Sequence, residues 1–160
     1  MRVGIGFDIH RLMAAPRPSP LPLGGVEIPC YMSVQAHSDG DVLIHATVDA
    51  CLGALSLGDI GQWFPDSKEE NRNRKSIEFL EKTIAEVHRL GYRVQNLDST
   101  VFLEEPRLAE HSDNIRRKLA ETLKVELSSV SLKAKTMEGL GAIGDRHALA
   151  AQVIVSLTKI

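Results

Sequence analysis

The 160-residue chain has little that would mark a specialised environment. Its two cysteines, Cys30 and Cys51, form no CxxC pair. That excludes a disulfide framework and fits free thiols in a reducing compartment. Cys51 sits among Ala50, Leu52 and Leu55 and reads as a buried small hydrophobe. Nor is there an excess of one charge, with 19 basic residues facing 21 acidic ones. No global field therefore points to nucleic acid or to an anionic membrane. No apolar run approaches the ~20 residues needed to span a bilayer, and the N-terminus reads directly as a strand, without a signal or transit peptide. Repeats, low-complexity tracts, HExxH, H-x-E with P-C-x-x-C and the G-x-S-x-G elbow are also missing. One soluble domain spanning residues 1–160 is the expectation.

Elements are legible along most of the chain. Arg2–His10 reads as a strand whose end carries Asp8 and His10 on one face. Arg11–Pro22 contains Pro16, Pro18, Pro20 and Pro22 and is expected to be an exposed loop. Leu23–Pro29 reads as a short strand opened by a Gly-Gly turn. Leu57–Ser67 is expected to be a structured loop, with Trp63 either a core residue or a loop anchor. Ile77, Leu80, Ile84, Val87 and Leu90 space as an amphipathic helix over Ser76–Leu90, ended by Gly91. A strand over Tyr92–Leu103, a helix over His111–Leu123, a strand over Val130–Met137, a glycine-rich loop over Gly139–Arg146 and a buried strand over Ala148–Leu157 complete the pattern. Alternating strands and helices predict an α/β (α+β) sandwich, with helices packed on one face of a mixed sheet.

The chemistry concentrates in Ala36–Leu55, AHSDGDVLIHATVDACLGAL. A Ser-Asp-Gly turn opens onto a helix where Asp41, His45 and Asp49 recur at four-residue steps and share a side. Buried, such a face needs partners for its charges. Asp8, His10 and His45 together offer the two imidazoles and one carboxylate of an open catalytic zinc site. Asp49, one turn beyond His45, is placed to orient a ligand. Lys135, Thr136 and Glu138 before Gly139 and Gly141 offer an ammonium, a hydroxyl and loop amides to an anion, with a carboxylate for Mg²⁺. A nucleophilic triad from His37, Ser38 and Asp39 is disfavoured, because adjacent side chains point apart.

Four stretches, GFDIH, AHSDGDVLIHATVDACLGAL, GDIGQWFPD and KAKTMEGLG, in this order and at these intervals, resemble the 2-C-methyl-D-erythritol 2,4-cyclodiphosphate synthase family of the non-mevalonate isoprenoid pathway. The resemblance covers essentially the whole chain. It implies a homotrimer with active sites at subunit interfaces, acting on a cytidine diphosphate-linked small molecule and releasing CMP. It implies a divalent ion, usually Zn²⁺, on Asp8, His10 and His45, and a second, Mg²⁺ or Mn²⁺, on Glu138 at the diphosphate. Substrate contacts fall on Asp8, His10, His37, Ser38, Asp59, Gly61, Phe64 and Asp66. Others fall on Pro106, Arg107, Leu108, Ala134, Lys135, Thr136 and Glu138, on the side supplied by a neighbouring subunit. His37 and Thr136 match the positions that stabilise the transition state. The implied location is the bacterial cytoplasm, or the plastid stroma for a trimmed mature chain.

The chain departs from the family at Lys135, where many members carry Thr, and in the loop GAIGDRHA, where Ala142, Asp145 and Arg146 replace the usual residues. That loop lines the trimer axis in the family, so an isoprenoid-like ligand there is not implied for this sequence. A zinc-dependent phosphoesterase using water, and a trimeric nucleotide-binding protein without the reaction, are the rival readings.

Overall fold

The computed structural model describes residues 1–65, 67–71 and 74–160. Five strands, β1 (Arg2–Leu23), β2 (Val26–Gln35), β3 (Tyr92–Phe102), β4 (Val130–Lys135) and β5 (Ala148–Lys159), form one mixed sheet in the order β2-β1-β5-β3-β4. The β3–β4 pair is parallel, and the other pairs are antiparallel. Helices α1 (Val42–Ala54), α3 (Ser76–Arg89) and α4 (Ser112–Leu123) contribute to one core against the sheet, with short turns α2 (Ile60–Trp63) and α5 (Gly141–Gly144) beside them. This is the expected sandwich. No helix among the described residues is long and apolar enough to cross a membrane.

The core follows from two periodicities. Along β1, residues alternate between buried Gly4, Gly6 and Leu12 and exposed Val3, Ile5, Phe7 and Ile9. α3 buries Phe79, Leu80, Ile84 and Val87, while Leu90, the residue just past the helix, is exposed. α4 buries Ile115, Leu119 and Leu123, as its spacing predicts. α1 is different: eleven of its 13 residues are buried, so it is a central helix with almost no free face.

α1 lies on β1 at backbone contact. A Cβ on Gly4 would lie 1.9 Å from the Ala50 carbonyl oxygen, and one on Gly6 would lie 1.9 Å from that of Ala46. Any side chain at either glycine would push the helix away. Gly4 and Gly6 continue the face that carries Asp8 and His10, and Ala50 and Ala46 lead back along α1 to His45. The close seat therefore brings the helix N-terminus over the end of the strand.

Arg11–Pro22 is strand, not the expected exposed loop. It extends β1 along β2, with pairs Arg11–Gln35 to Ala14–Met32 and, after a bulge, Ser19–Cys30 to Leu23–Val26. β5 stops pairing at Arg11, so this stretch has one open edge. Past the bulge, Pro20 and Pro22 are two residues apart, so the N–H groups they lack both lie toward one edge. Pro20 faces Pro29, a pair in which neither residue can donate, and the neighbouring pair Leu21–Ile28 is free to bond. Gly24 and Gly25, both at positive φ (63° and 77°), make the hairpin turn. Leu57–Ser67 and Gly139–Arg146 each contain one helical turn within the expected loops. Trp63 is a loop anchor, its indole N–H donating to the Leu57 carbonyl at 2.9 Å. Cys51 is fully buried, and burial pushes its thiol up to about 12.

Candidate metal centre

Asp8 Oδ2, His10 Nε2 and His45 Nδ1 form a nearly equilateral triangle. The edges are 3.0 Å (Asp8–His45), 3.1 Å (Asp8–His10) and 3.1 Å (His10–His45). A tetrahedral zinc with bonds of about 2.0–2.1 Å places its ligand atoms about 3.3 Å apart, so this donor set fits such an ion after shifts of a few tenths of an ångström. The three form a group able to hold a metal ion. His45 is buried and the other two are half-buried, which leaves one side open. In front of them lies a cavity of about 490 Å³ lined by His37, Ser38, Gly61 and Phe64, among others.

The electrostatics are those of a cation site. Burial works to raise the Asp8 carboxyl, but hydrogen bonds and charge from His10 and His45 overcome it and hold the group well below the usual carboxylate range. Burial also works against charge on His45, yet the hydrogen bond and charge of Asp8, with Asp41 and Asp39 behind, lift it above an ordinary imidazole. Without an ion, a proton on the imidazole supplies the positive charge that this triangle favours.

The in-line trio Asp41, His45 and Asp49 divides into three separate roles. Asp41 caps α1 and is buried. Its Oδ1 accepts from the N–H groups of Gly24 (2.9 Å), Leu43 (3.1 Å) and Ile44 (3.0 Å), and its Oδ2 accepts from Gly25 (2.7 Å). Burial pushes this carboxyl up, and the backbone donors oppose the shift. One side chain thus ties the β1–β2 turn to the helix that carries His45. Asp49 does not orient a ligand as expected: its Oδ1 accepts from the Ile60 N–H at 2.7 Å and so holds α2. Burial raises this carboxyl too. The nitrogen of His45 that faces away from the triangle, Nε2, lies instead 2.7 Å from Ser76 Oγ and 3.2 Å from Ser38 Oγ. Ser76 was not legible as a site residue. Its only signal in the sequence is a serine at the start of an amphipathic helix.

The other anticipated residues fall into two groups. His37, Ser38, Gly61 and Phe64 join the triangle's cavity. Asp59 caps α2 through the Gln62 N–H at 2.9 Å. Phe64 stacks on Phe79 with centroids 4.6 Å apart. Asp66 lies outside the described residues. Pro106, Arg107 and Thr136 line a different cavity, of about 880 Å³, with Glu104 and Glu105. There the Thr136 hydroxyl donates to Glu138 Oε1 at 2.8 Å. Ala134 and Lys135 are exposed at the end of β4, whereas the Leu108 side chain is buried. Within one chain, His37 and Thr136 border separate cavities. In the glycine-rich loop, Arg146 pairs with Glu105 at 3.0 Å.

A helix seated on glycines and an open Asp-His-His triangle at the end of the strand define a class: an α/β protein with a donor set able to hold a metal ion beside a cavity. The YgbB family model matches residues 1–158, and the chain belongs to that family. It is 48% identical over 159 residues to 2-C-methyl-D-erythritol 2,4-cyclodiphosphate synthase of Syntrophomonas wolfei, covering 99% of both chains. Among solved structures, IspF of Plasmodium falciparum, determined as a CDP complex, is 34% identical with a TM-score of 0.86, over 99% of this chain and 96% of that one. The bifunctional IspDF of Campylobacter jejuni is 36% identical with a TM-score of 0.92, over 99% of this chain and 42% of its own length.

Proposed function

We propose that the protein cyclises 4-diphosphocytidyl-2-C-methyl-D-erythritol 2-phosphate to 2-C-methyl-D-erythritol 2,4-cyclodiphosphate with release of CMP, acting as a phosphorus–oxygen lyase. The observation that carries this reading is the convergence of Asp8, His10 and His45 in a chain 48% identical to a synthase of that name. An oxygen of the substrate's 2-phosphate attacks the β-phosphorus, a new P–O bond forms, and the bond to CMP breaks. The nucleophile is already an anion, so no side chain has to remove a proton. What remains is to hold two charged phosphates in line and to balance the charge that develops.

The residues divide by task. Asp8, His10 and His45 would hold Zn²⁺, and Glu138 would hold Mg²⁺ or Mn²⁺. When bound, such ions neutralise phosphate oxygens as Lewis acids. His37 and Thr136 meet the developing charge as donors. Asp59, Gly61, Phe64 and Asp66 would seat the methylerythritol. Pro106, Arg107, Leu108, Ala134 and Lys135 would seat the cytidine and its phosphates. A homotrimer joins the two sets. The separate cavities of His37 and Thr136 and the exposed apolar row Val3, Ile5, Phe7 and Ile9 on the sheet's outer face favour it.

Phosphorus NMR of the protein with this cytidine-linked substrate, with and without chelator, tests the reading. Cyclic diphosphate and CMP are expected only with metal present. A linear phosphate product would instead make the protein a phosphoesterase. CDP binding without turnover in metal-replete protein would make it a binding module.

A further inference from the structure

His45 can serve the triangle only if its Nδ1 carries a lone pair, which means that the proton of the neutral ring must sit on Nε2. What fixes that choice lies on the far side of the ring. Ser76 Oγ is 2.7 Å from Nε2 and is fully buried. It also makes a very short hydrogen bond to Asp39 Oδ1, while the Ser76 backbone N–H donates to Asp39 Oδ2 at 3.0 Å. A carboxylate only accepts, so the single hydroxyl proton of Ser76 goes to Asp39. The serine oxygen then has only lone pairs to offer the ring, and Nε2 must be the donor. Asp8 Oδ2, 3.0 Å from Nδ1, makes the same demand on the other nitrogen while no ion is bound, so the proton that an ion displaces is the one on Nδ1, and the Asp39–Ser76 pair keeps the one on Nε2. Ser38 Oγ, at 3.2 Å from the same nitrogen, is the longer contact and itself accepts from the Gly40 N–H.

We infer that Asp39 and Ser76 are positioning residues of the metal centre: the Asp39–Ser76 pair holds His45 as the Nε2–H tautomer and so presents Nδ1 to the ion. The inference rests on the metal reading given above. Its plain rival is that Asp39 merely caps α3, whose own flanking residue Lys75 makes no side-chain cap. Changes at the serine separate the two. Ser76→Ala keeps the backbone N–H that donates to Asp39 Oδ2, and with it the cap, but removes the hydroxyl that faces Nε2. Ser76→Thr keeps both.

The test measures zinc affinity by chelator competition, melting of the metal-free protein, and the His45 Nε2–H signal of the zinc-loaded protein by nitrogen-15 NMR. Wild type is expected to bind one zinc per chain, with an Nε2 proton protected from exchange with water. Ser76→Ala is expected to lose about 10–100-fold in zinc affinity and to lose that protection, and Ser76→Thr should restore both. Asp39→Ala loses the cap in either case and melts lower; under the inference it loses zinc affinity as well. Wild-type zinc affinity with a protected Nε2 proton in Ser76→Ala, or wild-type zinc affinity in Asp39→Ala, would overturn the inference. A wild-type protein that takes up no zinc would sink the metal reading instead, and the protection of the Nε2 proton in the metal-free protein would still decide whether Ser76 holds it.

Discussion

Gly6 and Ala46 touch backbone to backbone: a Cβ on the glycine would stand 1.9 Å from the carbonyl oxygen of the alanine. This contact sets the height of α1 above the sheet, and with it the distance from His45 to Asp8 and His10. Gly6→Ala meets immovable main chain, not a flexible side chain. The expected loss is at least the ~3 kcal/mol upper range of ordinary overpacking, together with zinc binding. Urea melts and zinc stoichiometry measure both effects. Stability within about 1 kcal/mol of wild type would mean that the helix does not sit here.

Asp41 gathers four backbone N–H groups, three of them on Oδ1. Removing the carboxylate leaves all four without their acceptor, whereas Asn can keep the Oδ1 set and lose only the bond to Gly25. Asp41→Ala is therefore expected to cost about 3 kcal/mol or more, and Asp41→Asn about 1 kcal/mol. Equal effects in equilibrium unfolding would contradict the described geometry.

Asp8 and His45 make the stability of the zinc-free protein depend on pH. Asp8 is lowered from 3.8 in the fold, so its contribution is present above that value and lost as pH falls through the lowered one. His45 is raised from 6.5, so its contribution is complete below 6.5 and lost as pH rises through the raised value. The pair thus stabilises most between about pH 4 and 6.5. Zinc must displace a proton from His45, so its affinity should rise with pH across the upper edge of that range. The difference in unfolding free energy between wild type and Asp8→Asn, both without metal, isolates the pair. A flat difference from pH 4 to 9 would count against it.

Asp8→Ala and His45→Ala each remove one of three ligand atoms. Zinc binding should fall below detection and turnover should drop by about 100-fold or more, with circular dichroism unchanged. Full activity in either variant would place the metal elsewhere.

Asp49 offers the contrast. Asp49→Ala leaves the Ile60 N–H unpaired and loosens α2, at a cost of about 1–3 kcal/mol in that segment. KM should rise while zinc affinity stays at the wild-type level. A fall in zinc affinity instead would return Asp49 to the ligand-orienting role that its place on the helix first suggested.

The sequence by itself determined the periodic elements and the donor chemistry. Apolar residues at helical spacing marked α3 and α4, alternation marked the start of β1, and a run rich in Ala, Val and Ile marked β5. Asp8 and His10, two residues apart on a strand, had to share a face. Those are local properties, set by the geometry of one strand or one helix. The prolines of Arg11–Pro22 misled because their period of two matters only once one edge of β1 is known to be open. The division of Asp41, His45 and Asp49 was equally out of reach. A four-residue spacing gives a common side, but the hairpin turn, α2 and the start of α3 decide what each residue meets there. Ser76 and Asp39 reach His45 only because three separate segments converge, and that convergence belongs to the tertiary structure. Two glycines with nothing beside them allow it, by letting a helix rest directly on a strand.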